Sequence, residues 1–374
     1  MKIVPVVSAL NIRSAPSQTA PIIGVVSRMD VMTAVRNQAC IGNVGVWLEV
    51  VLKSGQRGWC AGWLVREHVD ETPASPRLIG VNIDFQNPQG FPSVDDAKHF
   101  GWLRFELKAS PARGFASLDN ALRFYADRLA PYRASGVHIL CVLTHTFYGE
   151  GAGFNWDAMT YSRWDELTAV YAQHAGLAAQ RLAEKQLVQV YQIWNEADAL
   201  PGLARASVPV PASIYGSLMF SRAFSAIKGA DPAARVITTG TVRGPVSAQH
   251  YFTEALRACQ ANVRPDGLAI HPYGRGAPDY RGAFAPFGSI EDEYRAVSRF
   301  NLPIYVTEFG VLDNQGADPA QVAQYLRMID DYTARSRPEV KALIWYGWSD
   351  AMDNGFGFAS SSGVLKPQMM AVLR

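Results

Sequence analysis

The stretch VQVYQIWNEAD, residues 188 to 198, is a run of strand-forming residues that ends on Asn195-Glu196 and then breaks. A carboxylate at the end of a buried strand is costly unless something pairs with it or uses it. Taken alone, Glu196 reads equally well as a helix cap, as half of a surface ion pair, or as a reactive group. The rest of the chain decides among these.

Working outward, similar apolar runs recur from Leu78 onward. They are LIGVNIDF (78–85), GWLRFEL (101–107), GVHILCVLTH (136–145) and VQVYQIWNE (188–196). RVITTGT (235–241), DGLAIHPY (266–273), LPIYVTEFG (302–310) and VKALIWYGW (340–348) complete a set of eight. Most gaps hold an amphipathic helix, such as SLDNALRFYADRLAPYRASG (117–136) and DPAQVAQYLRMIDDYTARSR (318–337). The first of these opens on Ser117, with Asp119 and Asn120 in its first turn. Strands that are apolar throughout are buried on both faces, as in a parallel sheet covered by helices. Eight strand–helix units over residues 78–374 predict a closed (β/α)8 TIM barrel rather than an open sheet.

The first seventy residues carry no helical periodicity. Short strand candidates (Val4–Val7, Ile22–Val26, Val31–Val35, Trp47–Val51, Gly58–Ala61) alternate with Gly, Pro and Ser, which predicts a small all-β barrel. ETPASPR, residues 71–77, has the composition of a linker. The expected organisation is therefore a β domain over 1–70, a linker over 71–77 and an α/β barrel over 78–374.

Bulk properties exclude several classes. Net charge is +2 (35 basic minus 33 acidic), which gives no reason to expect a nucleic-acid partner. No apolar stretch approaches the roughly 18–20 residues of a membrane span. The opening MKIVPVVSALNIRS contains Pro5 and is too short for a signal peptide, so it reads as a first strand. Cys40, Cys60, Cys141 and Cys259 lie far apart, which argues against thiolate metal ligation and a dense disulfide framework; only a Cys40–Cys60 bridge is left open. H-E-x-x-H, G-x-S-x-G and G-x-x-x-x-G-K are absent.

In a barrel of this kind the C-terminal strand ends converge on one mouth. There the eight runs deliver Arg104, His145, Asn195 with Glu196, His271 with Tyr273, Glu308 and Trp348. The glutamates of strands four and seven, 112 residues apart (308 − 196), would face each other across the cavity. Two carboxylates flanking a sugar–oxygen bond are the equipment for glycoside cleavage, one as acid and one as nucleophile. Arg104 and the Tyr273 hydroxyl are the expected partners of Glu308. Glu196, as the acid, is expected to keep its proton through burial and a negative neighbour. The long loop THTFYGEGAGFNWDAMTYSRWDE (144–166) offers Tyr148, Phe154 and Trp156 as platforms for sugar rings.

IWNEAD, HPYG and TEFG, in that order, resemble the clan A glycoside hydrolases, retaining barrel enzymes with catalytic glutamates on strands four and seven. The resemblance covers essentially the whole second domain, including the ending FGFASSSGVLKPQ; it departs at Ala197, where many members carry Pro. It implies Glu196 as acid/base, Glu308 as nucleophile, Asn195 on the sugar 2-hydroxyl, Arg104 supporting the nucleophile and Trp348 as the floor of the cleaved subsite. It also matches His271 and Tyr273 to a strand-six pair, and requires no metal or organic cofactor. LNIRSAPS (10–17), Trp47 and GWCAGWL (58–64) resemble bacterial SH3-like domains, which attach enzymes to cell-wall peptides or other protein surfaces. That domain carries +3 (7 basic minus 4 acidic over 1–70), compatible with an anionic wall and with an extracellular or envelope location. The competing expectations are a non-catalytic carbohydrate-binding barrel and an SH3-type adaptor.

Overall fold

The computed structural model describes residues 2–5, 7, 9–27, 30, 32–39, 46–67, 78–200, 207–273, 287–310, 319–352 and 357–373. The chain divides into two compact units, Met1–Ser75 and Pro76–Arg374. The expected linker, 71–77, lies outside the described residues.

The first unit is one antiparallel sheet of seven strands: β1 (Lys2–Pro5), β2 (Ala9–Arg13), β3 (Ile22–Ser27), β4 (Met32–Ala39), β5 (Val46–Val51), β6 (Arg57–Ala61) and β7 (Val65–Glu67). Their spatial order is β3-β2-β6-β5-β4-β1-β7. Alternation in β2 turns Leu10 and Ile12 into a small core with Ile3, Val26, Met32, Val50 and Cys60, while Ala9 and Asn11 face outward. Gly58 is required where β6 passes this core, because a Cβ there would lie 2.4 Å from Ile12 Cγ2. The sequence pattern missed β2 and β7. The first is short and runs into the SAPS turn, and the second is three residues following a 3-10 turn over Gly62–Leu64. Cys60 is a free buried thiol, its pKa pushed up to about 12 by burial; Cys40 lies outside the described residues.

The second unit is a closed barrel of eight parallel strands in the order β10-β11-β12-β13-β14-β15-β8-β9. They are β8 (Ile79–Ile83), β9 (Trp102–Glu106), β10 (His138–Leu143), β11 (Val190–Ile193), β12 (Arg235–Thr241), β13 (Gly267–Ile270), β14 (Ile304–Phe309) and β15 (Val340–Trp345). Each matches one of the eight apolar runs, so the predicted TIM barrel is the observed fold. Helices Leu118–Ala134, Tyr161–Ala183, Ser221–Ala230, Pro245–Ala258, Phe287–Ser298 and Pro319–Ser336 stand between strands. None of the described helices is long and apolar enough to cross a membrane.

Inside the barrel, residues two apart along a strand share a face. Trp102, Leu140, Val142, Val190, Ile237, Ala269, Tyr305, Ala342 and Ile344 form the inner apolar core. One alternation further along the same strands come Arg104, Gln192, His271 and Thr307, all buried and all polar. Asn82 of β8 joins them, opposite Arg104 in register. The candidate site therefore rests on a polar layer stacked directly on an apolar one.

The helix that follows β11 carries a π-helical turn, Tyr215–Phe220, just after its first residues, Ala212–Ile214. Gly216 lets that turn approach the neighbouring helix, since a Cβ there would lie 2.0 Å from the Ala255 carbonyl oxygen. The buried Tyr215 hydroxyl donates to the Ile193 carbonyl at 2.9 Å and accepts from the Thr239 N–H at 2.7 Å, tying β11 to β12. Tyr215→Phe leaves a buried carbonyl and a buried amide without these partners, which predicts a loss of about 1–3 kcal/mol in urea unfolding. An unchanged midpoint would show that the two strands do not depend on this bridge.

Candidate active site

The backbone explains why the strand in VQVYQIWNEAD breaks. Trp194 (φ 69°) and Glu196 (φ 49°) both adopt the left-handed region, which is uncommon for residues with a Cβ. Trp194 is anchored there by its N–H to the Leu143 carbonyl at 2.8 Å and by its indole N–H to the Val208 carbonyl at 2.8 Å. Conformations of this kind cost on the order of 1–3 kcal/mol and persist where surrounding contacts enforce them. Here the chain coils off β11, and the carboxylate of Glu196 joins the residues of the barrel mouth.

Glu308, near the end of β14, is held from two sides. Arg104 Nη1 lies 2.8 Å from its Oε1, and the Tyr273 hydroxyl donates to its Oε2 at 2.6 Å. The Arg104 guanidinium also reaches Asn82 Oδ1 at 2.9 Å through Nη1, Asn195 Oδ1 at 2.9 Å through Nη2, and Gln192 Oε1 at 3.4 Å through Nε. Four strands thus meet on one guanidinium, which fixes Asn195 and Glu308 relative to each other.

Glu196 faces this assembly. Its Oε1 lies 3.0 Å from His271 Nδ1, and the Ser207 hydroxyl donates to its Oε2. The other imidazole nitrogen, Nε2, lies 3.0 Å from the Thr307 hydroxyl, and His271 Nδ1 is 3.7 Å from Glu308 Oε2. Ligating atoms of Glu196, His271 and Glu308 lie within 4.8 Å of one another. Such a cluster could meet a metal ion, but its oxygens already face Arg104, Tyr273, Ser207 and His271. Space for the imidazole comes from Gly240, where a Cβ would fall 2.0 Å from His271 Nε2.

One expectation is corrected. Burial is the largest single influence on the Glu196 carboxyl and raises its pKa. The His271 hydrogen bond and charge, the Ser207 hydroxyl and the Arg104 charge together outweigh it, so the net direction is downward. The sequence showed a carboxylate in an apolar run but not the donors that meet it.

Arg104, Asn195, Glu196, His271, Tyr273 and Glu308 are therefore gathered at one place. His145 sits in an aromatic setting, its ring 6.1 Å from Trp156 and 6.2 Å from Trp194, with burial holding its pKa down. Trp156 is half-buried, stacks on Phe154 at 5.9 Å and lies along Gly149 (φ 120°), where a Cβ would meet its ring at 2.7 Å. Tyr148 turns instead to the Tyr161–Ala183 helix, with its ring 4.8 Å from His174. Trp348 is buried, stacked on Phe358 at 6.4 Å and edge-on to Phe100 at 6.3 Å. Tyr346, two residues earlier, is the aromatic that stands by Tyr273, at 6.2 Å. Trp345 packs outward on Phe309.

Asn82, Gln192, Ser207, Thr307 and Tyr346 were not singled out from sequence. Asn82, Gln192 and Thr307 had a signal, being lone polar residues inside apolar strand runs. Ser207 had none, because it reaches Glu196 from a loop eleven positions away.

Comparison with known proteins accords with this geometry. A family model for the glycosyl hydrolase catalytic core matches residues 162–367, more than half of the chain, and one for the bacterial SH3 domain matches residues 8–66. No curated protein matches the chain. Among solved structures, a family 39 glycoside hydrolase from Bacteroides cellulosilyticus is similar with TM-score 0.55 and 17% identity, over 100% of this chain and 76% of that one. A fungal β-1,4-galactanase is similar with TM-score 0.57 and 13% identity, over 80% and 99%. A Thermotoga maritima enzyme in complex with mannotriose gives TM-score 0.53 and 14% identity, over 80% and 98%. At these identities the likeness is one of fold. With its matching core and its eight-stranded parallel barrel, the chain belongs to the glycosyl hydrolase catalytic core family and carries a bacterial SH3 domain ahead of the barrel.

Proposed function

We propose that this glycoside hydrolase cleaves β-linked O-glycosidic bonds of a polysaccharide or oligosaccharide with retention, Glu308 as nucleophile and Glu196 as acid/base. The observation that carries the reading is the proximity of the two carboxylates, one oxygen of each lying within 4.8 Å of one oxygen of the other. Retaining enzymes hold their carboxyl groups about 5–5.5 Å apart, whereas inverting ones need about 6.5–9.5 Å to admit a water. Glu308 attacks the anomeric carbon while Glu196 gives its proton to the leaving oxygen. The glycosyl–Glu308 ester is then hydrolysed by a water that Glu196 deprotonates. Asn195, fixed by Arg104, is placed to hydrogen-bond the sugar 2-hydroxyl. Tyr346 takes the floor position that the sequence had suggested for Trp348.

The SH3 domain is proposed to hold the enzyme on cell-wall peptides or another protein surface, at an extracellular or envelope location. Its family match and its +3 charge over residues 1–70 support that role.

Glu196→Gln and Glu308→Gln are each expected to lower turnover by at least about 10³-fold. Proton NMR of the first product is expected to show the substrate's anomeric configuration; inversion would refute the mechanism.

The acid must be protonated when substrate binds, and the donors around Glu196 favour its ionised form. The basic limb of kcat/KM, which reports the acid of the free enzyme, is therefore expected on the acidic side of neutrality. Ser207→Ala removes one donor to the carboxylate, raises its pKa and is expected to move that limb to higher pH. A limb that stays in place or moves down would contradict the role given to Ser207.

A further inference from the structure

The loop between β10 and the Tyr161–Ala183 helix carries GEGAG, residues 149–153, whose three glycines all stand in the left-handed region (φ 120°, 74° and 80°). Glycine loses more freedom on ordering than any other residue, so such a segment keeps one path only where outside contacts fix it. Glu150 supplies them. Arg113 grips its carboxylate at both oxygens, Nε to Oε2 at 2.9 Å and Nη2 to Oε1 at 2.7 Å, and the Ser110 hydroxyl donates to Oε2 at 2.7 Å. Both donors belong to the loop after β9. Gln86, from the loop after β8, in turn donates through Nε2 to the Arg113 carbonyl at 2.8 Å. Three consecutive loops of the barrel mouth are thereby chained through Arg113.

A two-point arginine–carboxylate bond fixes geometry as well as distance, which a single surface ion pair does not. The barrel does not need this one to close, because the backbones of the same two loops are already joined: the Ala109 and Ser110 N–H groups both meet the Thr146 carbonyl at 3.0 Å. What the Glu150 contact adds is the path of the chain beyond Thr146, and that path leads to Trp156. The Trp156 ring lies against Gly149, the residue before Glu150, where a Cβ would meet it at 2.7 Å. Arg163 holds the next stretch, donating to the Gly153 carbonyl at 3.3 Å and lying 4.5 Å over the Phe154 ring. Trp156 stands edge-on to Trp194 at 6.4 Å, two positions before Glu196, and lines one cavity with Ser207, whose hydroxyl bonds Glu196.

We infer that Arg113 and Glu150 are positioning residues for substrate: their two-point bond sets the ring of Trp156 where a sugar stacks on it, and so governs affinity rather than the chemical step. This rests on the proposed glycosidase reading. Among the described residues neither bonds Glu196 or Glu308, whose partners are Arg104, Tyr273, Ser207 and His271. A stacking contact remote from the breaking bond is equally strong in bound substrate and transition state. Losing it raises KM and leaves kcat.

The test is a double-mutant cycle in the full chain, assayed on p-nitrophenyl β-glycosides and on β-1,4-linked gluco-, manno- and galacto-oligosaccharides. Trp156→Ala is expected to raise KM about tenfold and Glu150→Ala about fivefold, each with kcat close to wild type. In the Trp156→Ala background, Glu150→Ala is expected to change KM by less than about twofold, because the residue it positions is gone. Arg113→Ala removes the other half of the bond from a different loop and is expected to match Glu150→Ala; it carries the cycle if Glu150→Ala melts early. A KM that neither variant moves, a loss in kcat instead, or the same KM change with and without Trp156 overturns the inference. If turnover then still depends on Glu308, the hydrolase assignment stands without it. Wild-type protein that cleaves none of these substrates overturns both.

Discussion

Everything at the barrel mouth depends on the buried pair of Arg104 and Glu308, 2.8 Å apart, with side chains 4% and 8% exposed. Burying two charges is costly, and the pair holds because further donors and acceptors meet it. Asn82, Gln192 and Asn195 take three more guanidinium hydrogens, and Tyr273 donates to the second carboxylate oxygen. Removing one partner from such a pair costs about 3–5 kcal/mol, because the other charge is left buried alone. The same network orders the site: one guanidinium ties Asn195, just beyond β11, to Glu308 on β14. A stack of well-packed apolar residues would stabilise the barrel as well, but it would give no fixed carboxylate.

Glu196 is held differently. It stands in a left-handed backbone conformation beyond the end of β11, contacted by an imidazole and a loop hydroxyl rather than a guanidinium. The two carboxylates thus stand close together among unlike partners. His271 lies near both, and its place depends on the missing side chain at Gly240. Hydrogen bonding at the mouth is therefore coupled to glycine placement one strand away.

Much of this was legible in the sequence. The eight apolar runs gave the barrel because strands buried on both faces must be continuously apolar, and β8 to β15 fall within those runs. The gathering of Arg104, Asn195, Glu196, His271, Tyr273 and Glu308 followed from strand order alone, since closure puts all C-terminal ends at one pole. What was not legible depended on contacts between distant segments. The direction of the Glu196 pKa turned on Ser207 and His271, which sequence spacing does not connect to it. Which aromatic after β15 stands beside Tyr273 turned on how the chain leaves that strand: Tyr346 does, while Trp348, two residues on, packs against Phe358. In the small β domain, β2 and β7 escaped because runs of five and three residues between turns carry too few positions to show a period.

The central claim is that Glu308 forms a covalent bond to the sugar. Incubation with 2-deoxy-2-fluoro-β-glycosides bearing an activated leaving group slows the hydrolysis of that bond, so intact-protein mass spectrometry reads the intermediate directly. The account predicts a mass increase of one fluorosugar, located by peptide mapping to Glu308 and lost in Glu308→Gln. An adduct on Glu196 or another residue, with Glu308 unmodified, would contradict it.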